Sequence, residues 1–167
     1  MWEKIKEKFR DFPAQQLVAL TMLKQGIRVE KKTGKLFSGD IEMSSSKFGR
    51  GIGVDRRAVT ATAEHITKDD ELGAIFSALQ PAADISGVAK QFGFGVVELF
   101  ADARRPGIMA RVTALIADKG IAIRQVICDD PQLVPEPRAI IVTERPVPGD
   151  LLNEFLRIEG VSEVHLK

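Results

Sequence analysis

SSKFGRGIGVDRRAVTATAEHI, residues 45–66, decides how the first half of the chain is read. Glycines stand at 49, 51 and 53, and two arginines follow at 56 and 57. Glycine-rich loops that hold phosphate read G-x-G-x-x-G or end in G-K-[ST], and both run from a hydrophobic strand into a helix. The spacing here matches neither form, and the preceding Glu42-Met43-Ser44-Ser45-Ser46 is no buried strand. The pattern predicts two helices joined by a tight turn. Ser44 or Ser45 N-caps the first, in which Phe48 and Ile52 are four apart and share a face. Gly49 is small where two helices must cross closely. Gly53 supplies the positive φ of the turn. Val54 plugs the turn into the core, and Asp55 caps a second helix that begins Arg56-Arg57-Ala58. Val59 and Ile66 then face inward.

A small residue, a glycine four positions on, an apolar residue next and another five further on form the pattern of the DNA-binding helix–turn–helix. Thr62 departs from it, since that position usually carries a larger apolar residue. Gly51 has no role in the scheme. In such a pair the second helix lies in the major groove. Its outer face would present Arg56, Arg57, Thr60, Ala61 and Glu64. Arginine pairs bidentately with guanine, threonine meets a base or phosphate, and alanine meets a thymine methyl. Lys47 and Arg50 on the first helix would touch phosphates. The other reading is a helical hairpin used for dimerisation or docking, its arginines solvated.

Upstream, WEKIKEKF places Trp2, Ile5 and Phe9 on one helical face. Pro13 suits the first turn of the next helix, and Gly26 is placed to stop it. IRVE and KLFS flank KKTG as a short hairpin decorated by Lys31, Lys32 and Lys35. Its lysines are read as a solvated turn, with a DNA-backbone contact as the alternative. Downstream, DDELGAIFSAL predicts a further amphipathic helix with Leu72, Ile75, Phe76 and Leu79 on one stripe. SGVAKQFGF, 86–94, echoes the turn pattern, but VVELF follows as a strand and not as a second recognition helix.

Composition narrows the function classes. The 167 residues are 44% hydrophobic and 28% charged, enough to fold as one or two small domains. Net charge is +1, so no global basic field announces a nucleic-acid partner. Residues 1–80 hold 14 basic against 11 acidic side chains, and residues 81–167 hold 10 against 12, a mild asymmetry. No apolar run has the length of a membrane span, and MWEKIKEKF lacks the apolar core of a signal peptide. The single cysteine, Cys128, makes no internal disulfide, which points to a cytoplasmic location. Two histidines and that cysteine have no metal-ligand spacing, and no nucleophile–base motif is present. No enzyme activity, metal, cofactor or membrane partner is expected.

Breakers in QPAADISG and QFGFG set a boundary, giving a helix–turn–helix domain over 1–80, a linker with a helix over 81–94 and a second domain over 95–167. The second domain reads as a strand at 96–102, then a helix from Pro106 to Lys119 with Ile108, Val112, Leu115 and Ile116 on one face. A strand at 121–128, a polar loop, a strand at 138–144, a helix at 149–158 and a closing strand follow. That β-α-β-β-α-β order is the ferredoxin-like plan, an antiparallel sheet with both helices on one face. The expected class is α+β, a mostly helical first domain with a small hairpin followed by a ferredoxin-like domain.

FADARRPGIMARVTALIADKGIAIRQV, 100–126, resembles the opening of an ACT domain. The matching residues are Asp102, Arg105, Pro106, Gly107, Ile108 and Gly120, and the likeness covers 95–167. With the helix–turn–helix ahead of it, the chain resembles the archaeal-type predicted regulators of amino-acid metabolism that carry an ACT domain. The resemblance implies a small effector, an amino acid, and a side-by-side pairing of two copies or a higher homo-oligomer through the sheet. It implies a ligand seat on the loop between first strand and first helix. There backbone N–H groups at a helix N-terminus suit a carboxylate. Gly107 allows close approach and Asp102 takes an ammonium, while Arg124 and Gln125 add contacts from either subunit. Ala122 stands where many ligand-binding members carry asparagine. The alternative for this domain is a dimerisation module in which Pro106-Gly107 merely starts a helix.

The function expected is a ligand-responsive regulator that binds double-stranded DNA. The alternative is a module that senses an amino acid, binds no DNA and docks on a metabolic enzyme.

Overall fold

Pro13 and Gly26 bracket the second helix of the chain, the proline where a missing N–H costs nothing and the glycine in the left-handed conformation at φ 63°. The computed structural model describes residues 2–167 and divides the chain into two units, Met1–Ala83 and Asp84–Lys167. The class is α+β, with helices and two antiparallel sheets.

In the first unit α1 (Trp2–Lys8) and α2 (Pro13–Gln25) lead into a three-stranded sheet of β1 (Ile27–Val29), β2 (Leu36–Ser38) and β3 (Ile41–Met43). The strands pair in the order β1-β2-β3. The sequence reading had only a hairpin here. The third strand escapes that reading because it is three residues long and turned to solvent, with Ile41 73% exposed. Helices α3 (Ser45–Ile52), α4 (Arg56–Lys68) and α5 (Asp70–Ser77) complete the unit. Trp2, Ile5, Phe9, Val18, Met22, Val59, Ile66, Leu72 and Phe76 are buried. Val54, expected in the core, is only half-buried.

In the second unit a 3-10 helix (Ser86–Phe92) precedes β4 (Gly95–Ala101), α6 (Ile108–Asp118), β5 (Ile123–Cys128), β6 (Arg138–Thr143), α7 (Leu151–Leu156) and β7 (Val161–Leu166). The strands form one antiparallel sheet ordered β5-β6-β4-β7. Alternation along β4 sends Val97 and Leu99 to one face, where Ile141 and Val164 join Ile108, Val112 and Ile116 of α6 and Leu151 and Phe155 of α7. On the opposite face Val96, Ile140 and Val142 meet Ala89 of the 3-10 helix. Glu98 belongs to that second face and is 4% exposed. Its carboxylate takes Lys167 Nζ at 2.5 Å and pairs with the Arg138 guanidinium.

Two boundaries differ from expectation. Helix α6 starts at Ile108 because Gly107 holds φ 90°, so Pro106 lies in the turn before the helix and not in its first turn. Helix α7 is shorter than read, at Leu151–Leu156.

Candidate DNA-facing helix pair and effector cleft

The geometry around α3 and α4 is set by their caps. Ser44 is the N-cap of α3, its hydroxyl oxygen accepting from the Lys47 N–H at 3.4 Å. Gly53 closes that helix at φ 74°, and its N–H and that of Val54 return to the carbonyls of Arg50 and Gly49. Asp55 then caps α4, its carboxylate accepting from the Arg57 N–H at 2.7 Å. Each such cap contributes about 1 kcal/mol. The helices touch at Gly49, where an added Cβ would stand 2.8 Å from the Val54 carbonyl oxygen and 3.2 Å from Val59 Cγ2. Thr62 is fully buried despite its hydroxyl, which donates to the Ala58 carbonyl at 2.7 Å. That bond removes the penalty of burying a polar group at a position where an apolar side chain is usual.

Arg56, Arg57, Thr60, Ala61 and Glu64 line one shallow depression on the outside of α4. All are exposed except Ala61, which is half-buried and forms its floor. Lys47 and Arg50 are exposed on α3. None of Lys47, Arg50, Arg56 and Arg57 has an ion-pair partner among the described residues. Elsewhere in the unit Lys4, Lys24 and Lys32 likewise have no ion-pair partner among the described residues, whereas other lysines are engaged. Lys8 meets Asp69 at 2.5 Å, Lys31 meets Asp70 at 2.9 Å and Lys35 meets Glu42 at 2.9 Å. Two of the three hairpin lysines are therefore held by neighbouring carboxylates.

In the second unit a cleft of about 200 Å³ opens between the end of β4, the start of α6 and the 129–137 loop. Asp102, Arg105, Gly107 and Ile108 line it with Leu99, Ala101, Met109, Cys128, Asp129 and Arg138. No side chain caps α6, and Gly107 would meet nothing if it carried a Cβ, so its bare backbone faces open space. Asp102 accepts from the Arg104 N–H at 3.0 Å. Arg105 is committed elsewhere. Its stem lies over Gly160, and its guanidinium pairs with Glu159, holding that carboxyl below its ordinary range. Pro106 is in the adjoining turn and does not line the cleft.

Arg124 and Gln125 are not brought to this cleft within one chain. Arg124 lies over the Phe94 ring at 5.1 Å, and the Gln125 amide oxygen accepts from the Ile85 N–H at 3.0 Å. The pairing of β5 with β6 shifts register between Ile123 and Gln125, while burial along β5 still alternates. Cys128, Asp129 and Arg138 are lining residues that sequence reasoning missed. Asp129 lies in the 129–137 loop, which has no periodicity to place it, and Cys128 and Arg138 stand at the ends of β5 and β6, which strand pairing brings together. Among the described residues no cluster of His, Cys, Asp and Glu could hold a metal ion, and no helix is long and apolar enough to cross a membrane.

No protein-family model matches the chain, and no curated protein matches it. Among solved structures, one titled "Crystal structure of PH0061" is 14% identical and covers 74% of this chain and 78% of that one, at a TM-score of 0.28. A superposition that loose bears on neither fold nor function.

Proposed function

We propose that the protein is a ligand-responsive DNA-binding transcriptional regulator of amino-acid metabolism. In this reading α3 and α4 are a helix–turn–helix and the second unit is a ferredoxin-like ACT domain, in the manner of the archaeal-type regulators that the sequence resembles. The observation that carries it is the set of four unpaired cations on α3 and α4, beside a face of α4 that presents Arg56, Arg57 and Thr60 together. Cations left without carboxylate partners keep their charge available for phosphates, which supply most of the affinity of DNA-binding proteins. Arg57, in the first turn of α4, stands where a recognition helix meets base edges.

The sheet order, with both helices packed on one face, supports the ferredoxin-like reading of the second unit. The bare Gly107 backbone at the start of α6 suits a carboxylate, and Asp102 suits an ammonium. Pairing of two copies through this unit would match a two-fold DNA site. An amino acid would regulate only by binding the DNA-competent and incompetent states with different affinity. Arg57→Ala tests the reading in an anisotropy titration against a selected duplex. Weaker binding with relaxed base preference at one position supports it; unchanged affinity and preference remove Arg57 from the interface.

A further inference from the structure

The first unit has an opening larger than the depression on α4. A cleft of about 640 Å³ lies between α2, the three-stranded sheet and α3. That is within the size range of small-molecule sites. Its apolar lining is Ile27, Met43, Phe48 and Ile52, and Thr21, Gln25, Ser38 and Ser44 supply hydroxyl and amide groups.

Two charged side chains reach it. Glu42 is neutralised by Lys35 at 2.9 Å, whereas Lys47 has no ion-pair partner among the described residues. The cleft therefore offers one uncompensated positive charge beside an apolar surface.

Gly51 is the second observation. It lies inside α3 and also lines the cleft. Its φ is not positive, and an added Cβ would meet nothing within 4 Å. Neither turn geometry nor helix crossing requires a glycine here, unlike Gly53 and Gly49. A glycine inside a helix is unfavourable, and what its bareness provides at this position is room in the cleft wall.

We propose that this cleft binds a small molecule that carries a carboxylate on an apolar body. Lys47 is its counter-ion and Gly51 is the opening that admits the apolar part. Under the DNA reading above, on which this consequence alone rests, the occupant and a backbone phosphate draw on the same ammonium, so occupancy weakens DNA binding.

The test uses 4-phenylbutyrate and its neutral amide as probes, titrated into the full chain with amide resonances followed by NMR. The wild type is expected to bind the carboxylate at least tenfold more tightly than the amide, with the largest shifts at Gly51, Lys47 and Ser44. Lys47→Gln abolishes that preference and leaves amide binding in place. Gly51→Leu weakens both probes tenfold or more, and a melting temperature no lower than that of the wild type confirms that it folds. Absence of saturable binding overturns the proposal, as do shifts confined to the second unit or wild-type affinity in both variants. No DNA is present in this titration, so its failure is separate from failure of the DNA reading. A parallel titration of a selected duplex, with and without 4-phenylbutyrate, reads the competition alone.

Discussion

Gly49 and the carbonyl of Val54 approach so closely that a Cβ at position 49 would stand 2.8 Å from the oxygen. Two residues later Gly51 has open space on the same test. The two glycines of one helix thus predict opposite outcomes. Gly49→Ala pushes α3 away from the start of α4 and costs about 1–3 kcal/mol, as overpacking does. Gly51→Ala gains about 0.5–1 kcal/mol of helix propensity. Urea unfolding followed by Trp2, the sole and buried tryptophan of the chain, reads both. Equal effects at the two positions would refute the crossing at Gly49.

The Asp69 carboxylate ties two segments together. It caps α5 by accepting from the Leu72 N–H at 2.9 Å, and it holds Lys8, the last residue of α1, at 2.5 Å. The Lys8 hydrogen bond, followed by the Leu72 N–H, lowers its pKa from 3.8, and the same bond raises Lys8 above 10.5. A lowered carboxyl stabilises fully above its unfolded value and loses that contribution as pH falls through the folded value. A raised lysine stabilises fully below its unfolded value and loses it as pH rises through the folded value. Asp69→Asn keeps a capping oxygen and removes the charge. The stability gap between wild type and Asp69→Asn is therefore expected to be constant between 3.8 and 10.5 and to shrink beyond either limit. A gap that persists in acid would assign Asp69 a capping role alone.

Glu98 is the buried carboxylate of the second unit, and its bond to Lys167 is the leading cause of a pKa lowered from 4.5. Both cationic partners are about half exposed and can turn to water when it is removed. Glu98→Gln is expected to cost about 1–3 kcal/mol, less than breaking a fully buried pair. Far-UV circular dichroism should show the loss while the Trp2 transition stays in place. A Trp2 transition that moves with it would mean that the units unfold together.

Cys128 reports on the cleft proposed as the effector seat because it is the only cysteine and lines that cleft. Burial, and then Asp129, pushes its thiol pKa up from 9.0, so alkylation is measured in alkaline buffer. An amino acid that occupies the cleft is expected to slow alkylation at least several-fold. Alkylation unaffected by every amino acid, at saturating concentrations, would count against the cleft as the effector seat.

The elements legible in the sequence are those whose ends carry their own chemistry. Ser44, Gly53 and Asp55 mark α3, its turn and α4 through hydrogen-bonding groups that act within a few residues. What escaped depends on distant partners. Strand β3 exists because β2 supplies its hydrogen bonds, and with Ile41 and Glu42 exposed and Met43 half-buried it has no alternating burial to declare it. The irregularity at Ile123–Gln125 is a property of the pairing with β6, so nothing within the β5 sequence itself declares it. The cleft near Gly107 was legible on the β4–α6 side, from the Arg105-Pro106-Gly107 run. Its far wall, Cys128, Asp129 and Arg138, is brought there only by folding of the sheet.

The most direct measurement is selection of random duplexes by the purified full chain at moderate salt, with and without a pooled amino-acid mixture, followed by sequencing. Moderate salt suppresses the sequence-independent phosphate term. A regulator of this kind enriches a two-fold motif, and the amino acids change its recovery. Failure to enrich any motif, with or without amino acids, would contradict the DNA-binding claim and leave the unpaired cations of α3 and α4 as a solvated face.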